Sequence, residues 1–264
     1  MLRIPPATVL FLSFAMLAMP ARAAPGYADL ADLTLAAPVI VRATIARAER
    51  ITDKDSPGLA PGRARLLISA AVDASLVAPG AIPATLQWLW DAPLDARGKA
   101  PKPKGQPVLA WLAAPGPDGK TQLITRDAQQ PWDTALETRT RAIAVEARSG
   151  NVPVVTGVTN GFRADGTVPG ESESQFFLST RTGRGLTMIV TAKPGQARSV
   201  AVSTGDVIDE SAATVKADTL LQYRLACTLP ATLPASAGGS DPALAADWRA
   251  ALVAIGPCGR GSAA

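Results

Sequence analysis

The chain has no histidine and only two cysteines among its 264 residues. The first absence removes every mechanism that needs an imidazole, the serine triad among them. The second removes zinc sites built from clusters of Cys and His. Charge of one sign is also scarce, since 26 Lys and Arg stand against 22 Asp and Glu, a formal excess of +4. Binding a phosphate backbone needs clustered cations rather than a small global excess, so nucleic acid is not an expected partner. The 22 glycines and 23 prolines stay below the roughly 25–30% that marks a low-complexity chain. What is present is a 47% share of hydrophobic residues with 18% charged, the composition of a chain with a core to bury.

Local catalytic signatures are missing too. There is no G-x-S-x-G, no Walker A loop, no G-x-G-x-x-G, no S-x-x-K, no H-E-x-x-H and no D-T-G or D-S-G. Catalysis by two carboxylates leaves no such trace, because the pair comes together only in space. Glu171, Glu173 and Asp206 are the first suspects for a hydrolase of that kind. No cofactor is expected.

Arg3 precedes an apolar run at 9–19, and Ala21-Arg22-Ala23 follows it. The run is shorter than the roughly 20 residues of a membrane span, and small-x-small is the pattern read by signal peptidase. Residues 1–23 are therefore expected to be an export leader, with no membrane span after its cleavage and a periplasmic or secreted destination. Arg3 and Arg22 leave with the leader and no acid does, so the excess of +4 falls to +2. In an oxidising compartment Cys227 and Cys258 can form one intramolecular bridge, read as a structural staple. A redox-active pair would favour C-x-x-C spacing.

Hydrophobic periodicity divides the rest. Residues 27–36 read as a short helix ended by Pro38. Period-2 alternation then marks strands around 39–45, 66–72 and 86–90, and a continuous apolar run at 108–112 marks a strand covered on both faces. A fifth strand is expected at 121–125. Residues 134–148 form a helix with Glu137 and Arg141 at i,i+4, closed by Ser149-Gly150-Asn151. The second half restarts with β patterning at 152–162 around the turn-prone Asn160-Gly161. Three strands follow, near 175–179, 186–191 and 200–202, in an antiparallel meander. Asp218 is expected to cap a helix over 219–227, residues 236–240 to be a flexible connector, and Asp241-Pro242 to open a last helix with a stripe of Leu244, Trp248, Leu252 and Ile255.

Three groups invite functional readings. Asp165, Glu171 and Glu173 crowd a Gly/Pro loop that can offer oxygens to Ca²⁺, although without EF-hand spacing a solvated turn is the favoured reading. Asp206, Asp209 and Glu210 read as capping acids after a strand. Arg97, Lys99, Lys102 and Lys104 can meet an anionic headgroup or polysaccharide, but more simply keep a long hairpin loop solvated. Trp88, Trp90 and Trp111 can form a carbohydrate platform, but they fall on the apolar phase of their strands, which favours core packing.

The order of helix, five strands and closing helix over 27–148 resembles the OB-fold modules related to netrin and metalloprotease-inhibitor domains. Those inhibitors begin with a metal-chelating cysteine, and Ala24 stands at that place here, so the resemblance does not carry protease inhibition over. The whole chain is also similar to an uncharacterised family of secreted proteins of Gram-negative bacteria, through V-P-G-E-S-E-S-Q-F-F-L at 168–178 and T-L-L-Q-Y-R-L-A-C-T-L at 219–229. The expected architecture is mainly β with a few helices (α+β): an OB-like β-barrel with its closing helix at 24–149, then an antiparallel β-meander with two C-terminal helices at 150–264. The expected function is a non-catalytic envelope protein that binds or scaffolds another envelope protein or a glycan. The competing classes are the carboxylate hydrolase and an inhibitor-like module.

Overall fold

The computed structural model describes residues 25–204 and 212–261. The expected leader at 1–23 and the acids Asp206, Asp209 and Glu210 lie outside those residues. The fold is mainly β, with two antiparallel sheets and four helices among the described residues. No helix among the described residues is long and apolar enough to cross a membrane.

The first sheet is a half-barrel in the order β3-β2-β1-β4-β5, from β1 (Val39–Arg50), β2 (Arg63–Val77), β3 (Thr85–Pro93), β4 (Pro107–Leu112) and β5 (Gln129–Pro131). Three register shifts between β1 and β2 curl it, since each bulge adds local twist. Alternation sends Val39, Val41, Ala43 and Ile45 inward against Leu66, Ile68, Leu86, Trp88 and Val108. Ile40, Leu109 and Trp111 point outward instead, beneath Leu30 of α1 (Tyr27–Ala36) and Leu136 and Ile143 of α2 (Thr134–Ser149). Strand β4, between β1 and β5, is thus covered on both faces, as its unbroken apolar run requires. Trp88 donates Nε1–H to Gln129 Oε1 at 2.8 Å, and Trp111 donates to Thr34 Oγ1 at 3.3 Å. Both rings are buried, so neither is available as a carbohydrate platform.

The fifth strand is displaced from its expected place. Residues 121–125 make only isolated bridges, because their backbone alternates between partners. Thr121 N donates to Gln87 O of β3, while Ile124 N donates to Trp111 O of β4. With the parallel bridge of Gln87 and Lys120, the segment crosses the gap between the sheet's two arms, and β5 forms afterwards.

The second sheet is ordered β6-β7-β8-β9, with β6 (Val155–Asp165), β7 (Ser172–Thr180), β8 (Leu186–Ala192) and β9 (Ser199–Ser203). Phe176, Met188, Val190 and Val202 on its inner face meet Leu225 of α3 (Leu220–Ala226) and Leu244, Trp248 and Ala251 of α4 (Pro242–Ile255). Phe176 and Trp248 pack edge to face at 5.1 Å. Asn160-Gly161 lies inside β6 rather than at a turn. A Cβ at Gly161 would sit 2.8 Å from Ala237 O, so the glycine serves a close approach. The expected flexible connector at 236–240 is for the same reason a tight one: Ala235–Ala237 is a single 3-10 turn, and a Cβ at Gly239 would meet Leu233 O at 2.0 Å. Thr219, not Asp218, caps α3, accepting from Gln222 N at 3.3 Å.

Candidate arginine-lined groove

The two halves meet where α1, α2 and α3 pack together, with Tyr223 of α3 laid on the outer core of the half-barrel. The chain's last described residues return to this junction. The Sγ atoms of Cys227, at the end of α3, and Cys258, just beyond α4, are 2.09 Å apart, which is bonding distance. Gln222 Nε2 donates to Ile255 O at 3.2 Å and holds the same turn. The tail then reaches α1. Arg260 donates to both oxygens of Asp32 at 2.6 and 3.0 Å, Tyr223 Oη–H donates to Asp32 as well, and Gly261 N donates to Asp29 at 3.0 Å. Burial pushes the Asp32 pKa up, but the hydrogen bonds from Arg260 and Tyr223 and the charge of Arg260 outweigh it, leaving the carboxyl below its ordinary range.

Two cavities adjoin this junction and share Val154 and Arg224 in their walls. The larger, about 560 Å³, lies between the end of α2, the approach to β6 and the β7–β8 turn, and its charged lining residues are Arg184 and Arg224. The smaller, about 310 Å³, contains Arg181, Arg224 and Arg260, with Tyr223, Cys227 and Leu35. Among the described residues, neither is lined by an Asp, a Glu or a Lys.

Each arginine is placed by its own element. Arg181 and Arg184 flank Thr182-Gly183 in the β7–β8 turn, where Gly183 adopts φ 74° and Thr180 Oγ1–H donates to Arg184 O at 2.8 Å. That left-handed conformation is one that glycine adopts without cost. Neither guanidinium has a hydrogen-bond or ion-pair partner among the described residues. Arg224 leaves α3 partly buried and donates to Val152 O. Burial lowers its pKa, the charge of Glu146 opposes the fall, and the neighbouring Arg181 adds to it. It nevertheless remains a cation at neutral pH. Glu146 is itself occupied at the start of α3, accepting from Leu220 N at 3.3 Å.

A second arginine cluster meets a buried acid at the edge of the other core. Asp247 of α4 is 1% exposed and accepts from Arg163 Nη1 at 2.5 Å, Arg198 Nε at 2.6 Å and Ser174 Oγ at 2.7 Å. Both of its oxygens accept from donors, so it reads as a structural knot joining α4 to β6, β7 and the approach to β9.

The groups singled out in the sequence lie elsewhere. Glu171 closes the β6–β7 hairpin through its backbone, and Glu173 is exposed, accepting from Gln175 Nε2 at 2.8 Å. Neither lines the groove. Asp165 is held by Arg163 at 3.0 Å. Among the described residues no group of three or more Asp, Glu, Cys or His is placed to hold a metal ion. Arg97, Lys99, Lys102 and Lys104 are exposed in the β3–β4 loop, shaped by Asp95, which accepts from the backbone N–H of Arg97 and of Lys99 at 2.8 Å each. Among the described residues expected to matter, only Cys227 stands in a groove wall.

Sequence reasoning passed over all four groove arginines and Asp247. R-T-G-R-G at 181–185 reads as a glycine turn, and nothing in the spacing ties it to Arg224 or Arg260. Asp247 did leave a sign: it lies three residues after Leu244 and four before Ala251, so it falls on the buried face of α4. No protein-family model matches the chain, and none of the curated proteins matches it.

Proposed function

We propose that the chain is an exported, non-catalytic binding protein of the cell envelope that holds an anionic ligand in the arginine-lined groove. One observation carries the reading: among the described residues, every charged side chain lining the two adjoining cavities is an arginine. Guanidinium groups match carboxylate and phosphate geometry with paired N–H donors. Arg181 and Arg184 have no acid partner among the described residues, and a bound anion would relieve the repulsion between Arg181 and Arg224. The cysteine pair at bonding distance supports a periplasmic or secreted location, and the OB-like half-barrel serves as the platform on which α1, α2 and the tail are laid.

Thermal unfolding at low ionic strength tests this, with acetate, phosphate and citrate each compared with sodium chloride at matched ionic strength. Binding to the folded state alone raises its stability by mass action. Citrate is expected to raise the melting temperature most, and Arg224→Gln to abolish the difference. If none of the three anions exceeds the chloride control, the reading fails.

A further inference from the structure

Resting on that reading, we infer that the ligand is an acidic peptide segment whose carboxylates engage the two cavities together, on either side of Arg224. The arginines are divided: Arg184 serves the larger space, Arg181 and Arg260 the smaller, and Arg224 belongs to both. A single inorganic anion fills one cluster, whereas this arrangement suits negative groups spaced along a chain. The wall between the charges is apolar, made by Val152, Pro153 and Val154 in the larger cavity and by Val154, Val155 and Leu35 in the smaller. That lining suits the aliphatic side chains and backbone of a peptide.

The alternatives fit less well. Glycan sites rely on open aromatic faces, and the one aromatic here, Tyr223, has its hydroxyl committed to Asp32 and its ring beneath Arg260 at 5.9 Å. Single-stranded nucleic acid needs stacking platforms as well as cations, and no tryptophan or phenylalanine lines either cavity. Charge complementarity and the apolar wall together select the peptide.

The test is calorimetric titration of the mature protein with four probes: a capped peptide alternating Glu with Val, its Gln counterpart, inorganic phosphate and a sulfated oligosaccharide. The Glu peptide is expected to bind at least about tenfold more tightly than phosphate, weakening with salt as exposed ion pairs do. The Gln peptide is expected not to bind. Arg184→Gln and Arg181→Gln, both in an exposed turn, should each weaken the Glu peptide about fivefold, the upper range for one exposed ion pair. Equal binding of peptide and phosphate, tighter binding of the oligosaccharide, or an effect confined to one of the two variants overturns the peptide assignment and leaves anion binding standing. If no anionic probe binds, both readings fall.

Discussion

Two arginine clusters in this chain meet opposite fates. Arg163 and Arg198 converge on Asp247, a carboxylate 1% exposed with three donors aimed at it. Arg181, Arg184 and Arg224 converge on cavities that no carboxylate of the described residues lines. In the first cluster the charges are matched within the protein, so their removal should be felt in folding. In the second, Glu146 attracts Arg224 while Arg181 and Arg184 have no partner among the described residues, so removal of these two should be felt in binding and hardly in folding. Arg260 stands between the two classes, paired with Asp32 on one side and facing the smaller cavity on the other.

The largest effect expected at the groove side comes from its scaffold. The cysteine bridge spans 31 positions, and closing a loop of that length stabilises by about 3–4 kcal/mol in the chain-entropy model. Replacing both cysteines by serine should lower the urea midpoint accordingly and free the tail that carries Arg260. A midpoint unchanged from the parent would show that the tail is held without the bridge.

Asp247→Ala is the matching test of the knot. Removing one partner of a buried pair costs about 3–5 kcal/mol in general. Arg198 is 45% exposed and Arg163 23%, so both can partly rehydrate, and a loss of about 3 kcal/mol by urea denaturation is expected here. Asp247→Asn should lose less, since its amide oxygen still accepts. If Asp247→Ala unfolds at the parent's midpoint, the distinction between matched and unmatched arginines has no energetic basis.

These two clusters differ also in how visible they were beforehand. Strand alternation in 39–45, the helix stop at Gly150 and the helix start at Asp241 follow from rules that act over a few residues, and the elements stand where those rules put them. The cysteine pair was legible for another reason, because two sulfurs allow one bridge. Failures came where distant backbone decides. Gly161 serves Ala237, 76 positions away, and residues 121–125 are divided between two strands, which no local pattern announces. The groove is an extreme case, because its four cations come from a turn, a helix and a tail separated in sequence. The compact basic stretch at 97–104 lies in an exposed loop, as the solvated-loop reading expects, and no comparable local charge density marks the groove.

Acid should loosen the tail before the core. Asp32 keeps its carboxyl below the ordinary range because Arg260 and Tyr223 outweigh burial. A depressed carboxylate pKa contributes stability that is complete above the unfolded value, about 3.9, and is lost as pH falls through the folded one. The NMR signal of Arg260 Nε–H should therefore broaden or shift as the pH falls below about 4. Because the pair is partly exposed, the associated stability is about 0.2–1 kcal/mol. Asp32→Asn should show the released signal already at neutral pH. A signal unmoved down to the unfolding transition would place Arg260 wholly with the matched class.

The smallest effect is the most telling. Arg181→Ala and Arg184→Ala remove exposed guanidiniums that have no partner among the described residues, so each should change folding stability by no more than about 0.5 kcal/mol. For Arg181 the change should be toward greater stability, because its charge works against the partly buried Arg224. Arg224→Ala, by contrast, loses a donor to Val152 O and the packing of its stem, a cost of about 1 kcal/mol. A double-mutant cycle isolates the term between them. If these arginines repel, Arg181→Ala stabilises the parent but not the Arg224→Ala protein, and the coupling has the sign of repulsion. Saturating anionic ligand should then shrink or reverse that coupling, because a shared counterion turns two mutually repelling cations into joint partners. A coupling of zero in the free protein, or one that the ligand leaves untouched, would mean that the arginines share a groove wall without sharing a ligand.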